Sequence, residues 1–197
     1  MSPQAFIFIG RSGCGKGTQV DLLMKVLKEK EPTRDILYIQ TGKEFRNFIQ
    51  GPNETQTMSK KINDVGGLQP EFLAIAMWVR PLVDEYKKGE HLIFDGTPRK
   101  YDEAGVLDSI FNFYGFKKPI VVNIEISPEE SLKRLLLRKR LDDNEEDIKK
   151  RLAWYETDVV PTIDFYRNNP NYNFIEVPGE RSIEEIHADM MNRLGLD

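Results

Sequence analysis

An α/β fold, with a five-stranded parallel sheet covered by helices on both faces, is what this sequence predicts. Three observations carry the prediction. Short apolar runs, several rich in β-branched residues, alternate along the chain with amphipathic stretches of helical period. The first run passes through a glycine-rich turn directly into a helix, as a strand, loop and crossover helix would. The 197 residues, 40% hydrophobic and 30% charged, are enough to bury one full core.

The stretch from Phe6 to Gln19 organises the rest. Gly10, Gly13, Gly15 and Gly17 admit positive φ and leave no Cβ in the way, so backbone N–H groups can converge on an anion. A helix opening at Lys16 adds unpaired N–H groups and the positive end of its dipole, and the Lys16 ammonium can reach outer phosphates. The spacing Gly10-x4-Gly15-Lys16 fits the Walker A pattern, but Gly17 stands where a metal-binding Ser or Thr is expected. Thr18, about 100° further around the helix, is therefore expected to bond a phosphate, with a metal left to phosphates, water and a distant carboxylate. A polyphosphate is the ligand implied. Cys14, the single cysteine, excludes an intramolecular disulfide and reads as a small residue within the loop.

Val20, Leu23, Met24 and Leu27 give the first helix its apolar stripe, and Pro32 ends it. Residues 35–40 read as the second strand. From 41 to 69 the pattern becomes short and polar, with brief helices near 44–49 and 57–65, which suggests a small insert outside the sheet. Pro70 suits a first helical position, and that helix is expected to run to about 88 with a kink at Pro81. A third strand, 91–94, leads into Asp95-Gly96-Thr97-Pro98-Arg99; a helix over 101–113 and a β-branched strand over 120–126 follow. Ser127 caps a helix reaching about Arg138, and Asn144 caps a longer one through 167. The fifth strand is 172–177, and Ile183, Ile186, Met190 and Leu194 mark a closing helix over 182–194. Ligands of such sheets gather at the carboxyl ends of the strands, where Gly10, Thr41 and Asp95 fall.

The net charge of −4 and pI near 5.4 provide no global basic field for nucleic acid or an anionic membrane. The run Ala5 to Ile9 is too short for a signal-peptide core, and no stretch approaches a membrane span, so a cytoplasmic location and a monomer are expected. His91 and His187 stand without partners at metal-ligand spacing. Trp78, Trp154 and Tyr155 fall on helices and read as packing residues.

Arginine is the decisive residue type. Arg46, Arg99, Arg134, Arg138, Arg140 and Arg151 lie at element ends or on helix faces near the predicted cleft, and Arg134 and Arg138 share a face at i, i+4. Such forks along a triphosphate suit phosphoryl transfer, where charge builds on equatorial oxygens.

The loop Gly10 to Gln19, the stretch Gln40-Thr41-Gly42-Lys43-Glu44-Phe45-Arg46, the turn Phe94-Asp95-Gly96-Thr97-Pro98-Arg99 and the run Arg134 to Asp143 together resemble the adenylate kinase family of nucleoside monophosphate kinases, in a short-lid form. The resemblance covers nearly the whole chain. It implies a P-loop NTPase-like three-layer fold with a core of 1–39, 70–136 and 144–197, a monophosphate-binding insert at 40–69 and a very short lid at 137–143. It also implies transfer of the ATP γ-phosphoryl to AMP with Mg2+, giving two ADP; GMP or a pyrimidine monophosphate as acceptor, and a regulatory protein of weak turnover, are the alternatives.

Carried over by position, ATP would meet Gly13, Cys14, Gly15, Lys16, Gly17, Thr18, Arg134, Arg138 and the backbone at Arg181. The monophosphate would meet Thr41, Arg46, Gly67, Leu68, Gln69, Gly96, Thr97, Arg99, Glu103, Arg140 and Arg151. Lys16, Arg99, Arg138, Arg140 and Arg151 would carry catalysis, no side chain would ligate the metal directly, and Asp95 would orient its water shell. Departures from the family pattern are Ser12 for proline, Lys43 for an acid, Thr97 for an aromatic residue and Glu103 for a glutamine that reads the acceptor base. An ionised carboxylate only accepts hydrogen bonds, so Glu103 suits the donors of guanine better than N1 of adenine. The clipped lid is expected to permit ATP hydrolysis without acceptor.

Overall fold

The structure is a computed structural model that describes residues 2–138 and 144–197. Five strands, β1 (Ala5–Ile9), β2 (Ile36–Gln40), β3 (His91–Asp95), β4 (Ile120–Glu125) and β5 (Asn173–Pro178), form one parallel sheet in the order β2-β3-β1-β4-β5. The chain lays β2 and β3 on one side of β1 and β4 and β5 on the other, so the crevice opens at the carboxyl end of β1. The register places Phe8 opposite Asp95 and Ile9 opposite Asn123, which brings the ends of β1, β3 and β4 together.

Every residue of β1 is buried, because the sheet continues on both sides and helices cover both faces. The helices are α1 (Lys16–Lys30), α2 (Thr41–Phe48), α3 (Glu54–Asn63), α4 (Glu71–Glu85), α5 (Tyr101–Tyr114), α6 (Pro128–Arg138), α7 (Glu145–Trp154), α8 (Val160–Asn168) and α9 (Ile183–Leu194), with a π-helical turn (Tyr155–Val159) joining α7 to α8. Alternation along β1 divides the core. Ile7 and Ile9 join Phe94, Trp78, Leu82, Phe111 and Tyr166 on one face. Phe6 and Phe8 join Val20, Leu23, Val122, Ile186 and Met190 on the other.

The expected elements are present, with shifted ends. α2 starts at Thr41, directly off β2. α3 starts at Glu54 because Asn53 accepts from the Gln56 N–H while the Gln56 side chain accepts from the Asn53 N–H. α4 continues through Pro81, with Trp78 and Leu82 buried on either side of it. Tyr86 then turns extended and packs its ring 4.7 Å from Tyr114, which stops the helix short of 88. The single helix expected through 167 is divided by the π-helical turn. Ser127, Asn144 and Ser182 each accept an N–H as caps. Among the described residues no helix is long and apolar enough to cross a membrane.

Candidate active site

The loop after β1 wraps its backbone around a point above the sheet. Gly10 has φ +136°, and a Cβ there would stand 2.5 Å from the Ile124 carbonyl oxygen, so only glycine fits. Lys16 Nζ lies across the loop and donates to the carbonyls of Gly10 at 2.9 Å and Arg11 at 3.1 Å. Arg11 anchors the loop from outside: its Nε donates to the Ile126 carbonyl at 2.9 Å, it pairs with Glu156 at 2.5 Å, and its guanidinium lies 4.2 Å above the Tyr155 ring. Nothing in the loop's own glycine pattern signals this reach to the π-helical turn.

In front of the loop lies a cavity of about 560 Å3. Gly13, Gly15, Lys16, Gly17 and Thr18 line it, and Arg134 and Arg138 reach it from α6. Arg46, Gly67, Gln69, Gly96, Arg99 and Arg151 also line it, with Asp95 at the end of β3. The structure thus gathers cations from five separate parts of the chain, together with Lys43, whose replacement of an acid adds one more positive charge to the wall. Asp21, Asn63 and Gly66, which carried no individual signal in the sequence, also line it, together with Gln40 and Trp154.

Arg99 is held from several sides. Its Nε donates to the Gly96 carbonyl at 3.2 Å and its guanidinium lies 5.3 Å from the Trp154 ring centroid. Burial lowers its pKa, with Glu103 and Asp95 opposing, and a group whose ordinary value is so high stays a cation. Asp95 in turn accepts from the Tyr38 hydroxyl at 3.0 Å, and Tyr38 accepts from Gln40 Nε2 at 2.6 Å. Burial, then the Asp95 charge, push the Tyr38 pKa above its ordinary value, so the phenol keeps its proton and remains a donor.

Several residues expected at the site do not line the cavity. Glu103 is 2% exposed and does not line the cavity. Its Oε2 accepts from Trp78 Nε1 at 3.2 Å and Thr97 Oγ1 at 3.0 Å, and its Oε1 accepts from the N–H groups of Arg99 at 3.2 Å and Lys100 at 3.1 Å. A carboxylate with four internal donors ties the 97–100 turn to α4, at the position where the resemblance implies contact with the acceptor base. Thr97 is buried with it, and Cys14 is buried behind the loop. Thr41 is also buried, and its Oγ1 has no hydrogen-bond partner among the described residues. Leu68 sits between the cavity-lining Gly67 and Gln69 without lining it. The Arg181 side chain turns outward to Asp189 at 2.6 Å. Trp154, expected to be a packing residue, is a cavity wall. Leu137 and Arg138 of the expected lid are the end of α6, and the rest of that segment, with Arg140, lies outside the described residues.

The arrangement brings a glycine loop with its lysine and a cluster of arginine forks to one space, and both are chemically suited to anions. Comparison with known proteins agrees. The family model described as "Adenylate kinase" matches residues 8–171. Among similar proteins are the adenylate kinase of Leptospira biflexa serovar Patoc, 36% identical over 184 residues covering 91% of this chain and 94% of that protein. The adenylate kinase of Phocaeicola vulgatus is 32% identical over 189 residues, covering 94% and 95%, and that of Corynebacterium glutamicum is 32% identical over 189 residues, covering 96% and 98%. Phosphate loop, arginine cluster and this near full-length similarity meet in one conclusion: the chain belongs to the adenylate kinase family.

Proposed function

We propose that the protein transfers the γ-phosphoryl of ATP to AMP, forming two ADP. The observation that carries this reading is that Lys16 and the glycine loop share a single cavity with Arg46, Arg99 and Arg151, and with Arg138 from α6. On this reading the loop N–H groups and Lys16 hold the ATP phosphates, and Thr18 bonds one of them. Arg134, which donates to the Gly179 carbonyl at 2.9 Å, borders the ATP base beside the backbone leading to Arg181. Arg46, Arg99 and Arg151 hold the acceptor phosphate, with Gly67, Gln69, Gly96 and the unpartnered Thr41 hydroxyl around the nucleoside. Arg138 and Arg140 neutralise charge on the transferring group. The acceptor is already an anion, so no general base is needed, and positioning with charge compensation is the whole of the protein's part.

Mg2+ fits the donor set. Asp95 is a carboxylate on the cavity wall, close enough to the loop that a Cβ on Gly17 would lie 3.9 Å from its Oδ2, and Gly17 itself offers no side-chain ligand. Asp95 would hold the ion through its water shell, and the ion would supply charge neutralisation on the phosphate oxygens. Residues 40–69 would act as the acceptor-binding insert and 137–143 as a short lid, set on a core of the remaining chain. A monomer and a cytoplasmic location accompany that reading.

The internal donors to Glu103 support AMP over GMP on this reading. The test is formation of ADP from MgATP with AMP, GMP, CMP, UMP or no acceptor. AMP is expected to give the highest kcat/KM; a higher value with GMP overturns the acceptor, and absence of acceptor-dependent turnover overturns the kinase.

A further inference from the structure

Trp154 stands where two parts of the acceptor side meet. It ends α7, is half-buried, and lines the cavity. Its indole Nε1–H donates to the Gly66 carbonyl at 3.1 Å, across 88 positions of sequence. Gly66 belongs to the segment that leads from α3 back to α4, and it sits hard against α7. It has φ +66°, and a Cβ there would lie 2.7 Å from the Asp147 carbonyl oxygen and 2.8 Å from the Asp147 Cα. The same indole ring lies 5.3 Å from the Arg99 guanidinium. A smaller cavity of about 40 Å3 is also bordered by both side chains.

We propose that Trp154 is a positioning residue of the acceptor site: one face of the ring aims Arg99, and its N–H holds the Gly66 carbonyl, so that the arginine and the base of the insert share one support. Glycine at 66 admits the close approach, and tryptophan supplies both the donor and the π surface; phenylalanine would keep the surface alone, and leucine would keep neither. A residue that served only to fill space would not link the insert to an arginine through two different interactions of one side chain.

This rests on the kinase reading, which ADP formation by the unmodified protein decides separately. In Trp154→Phe the loss of one N–H donor is expected to raise the KM for AMP about 3- to 10-fold, while kcat and the KM for ATP stay within about twofold. In Trp154→Leu, where Arg99 also loses its ring, kcat is expected to fall about 10-fold or more. In the unmodified protein, the Trp154 indole resonance in a 15N–1H spectrum, assigned from either single-tryptophan variant, should shift on titration with AMP alone and saturate with AMP binding. Equal effects of the variants on the KM values of ATP and AMP, kinetic constants all within twofold of the unmodified enzyme, or an indole resonance that AMP does not move would each overturn the proposal. Any of these alongside normal ADP formation would leave the kinase reading standing and remove only the role of Trp154.

Discussion

Glu103 shows how one side chain changes meaning between sequence and structure. As a carboxylate it offers only acceptors, and four donors converge on it: Trp78 Nε1, Thr97 Oγ1 and the N–H groups of Arg99 and Lys100. Replacing it with glutamine turns one acceptor oxygen into a donor that meets another donor. Glu103→Gln is therefore expected to cost about 1–3 kcal/mol of stability, read from a urea midpoint, and to leave the AMP to GMP ratio of kcat/KM within about twofold. A change of preference beyond about tenfold would return Glu103 to the base. The position of this residue was legible in the sequence, and its partners were not. Trp78 lies 25 positions away and reaches it only once α4 and α5 have packed on the sheet. Trp154 escaped for the same reason, since the helical pattern shows that it belongs to a helix but not that its N–H meets Gly66.

At the scale of the element, β3 carries function at one end and a stability device at the other. Asp95 and the Gly96–Arg99 turn leave its carboxyl end, while His91 at its amino end is buried. His91 Nδ1 accepts from the Gln4 N–H at 3.1 Å, and its Nε2 stands 3.6 Å from Glu31, whose carboxylate is bonded by Arg34 at 2.5 Å. Burial lowers the His91 pKa from its ordinary 6.5, so the fold holds the neutral ring, and the unfolded chain takes up a proton first as pH falls. The unfolded state binds more protons between the lowered value and 6.5, so this contribution is complete above 6.5 and is lost on acidification below it. Arg34 holds the Glu31 carboxyl below its ordinary 4.5, which adds a second loss of the same sign at lower pH. Urea midpoints at pH about 8 and about 5.5 should therefore fall with acid in the unmodified protein, and fall less in His91→Gln. Equal pH dependence in the two would reject His91 as a source.

Element type and order were readable from periodicity, because apolar alternation and caps such as Asn53 and Ser182 are local facts. The π-helical turn was not, because Tyr155–Val159 is set by what it packs against: Tyr155 and Val159 are buried, and Tyr155 lies under Arg11 of the phosphate loop.

For the whole molecule, the cavity is enclosed by the sheet end, α2, α6 and α7, and the chain spans from Arg138 at the end of α6 to the Asn144 cap of α7 through residues 139–143 alone. The resemblance implies a lid of only 137–143, and excluding water is what protects ATP from hydrolysis. Measurable ADP release from MgATP without acceptor is the expected result, and undetectable hydrolysis under conditions of full kinase turnover would reject it. The pairing of a glycine loop with scattered arginines was visible along the sequence; their convergence on one space required the strand order, which places segments distant in the chain side by side.

The register between β1 and β3 has a consequence for redesign. Phe8 pairs with Asp95, and the Gly96 N–H donates to the Phe8 carbonyl at 3.2 Å, so the donor loop and the acceptor turn are rooted one strand spacing apart. On the proposed reading that spacing, about 4.8 Å in any sheet, would work as a fixed ruler between the two phosphates. On the same reading, the surfaces that would meet the bases lie away from the ruler, around Thr41 to Gln69 and around Gly179 to Arg181. Substrate choice can therefore be re-engineered at either end of the cleft without re-aiming the phosphoryl group between them.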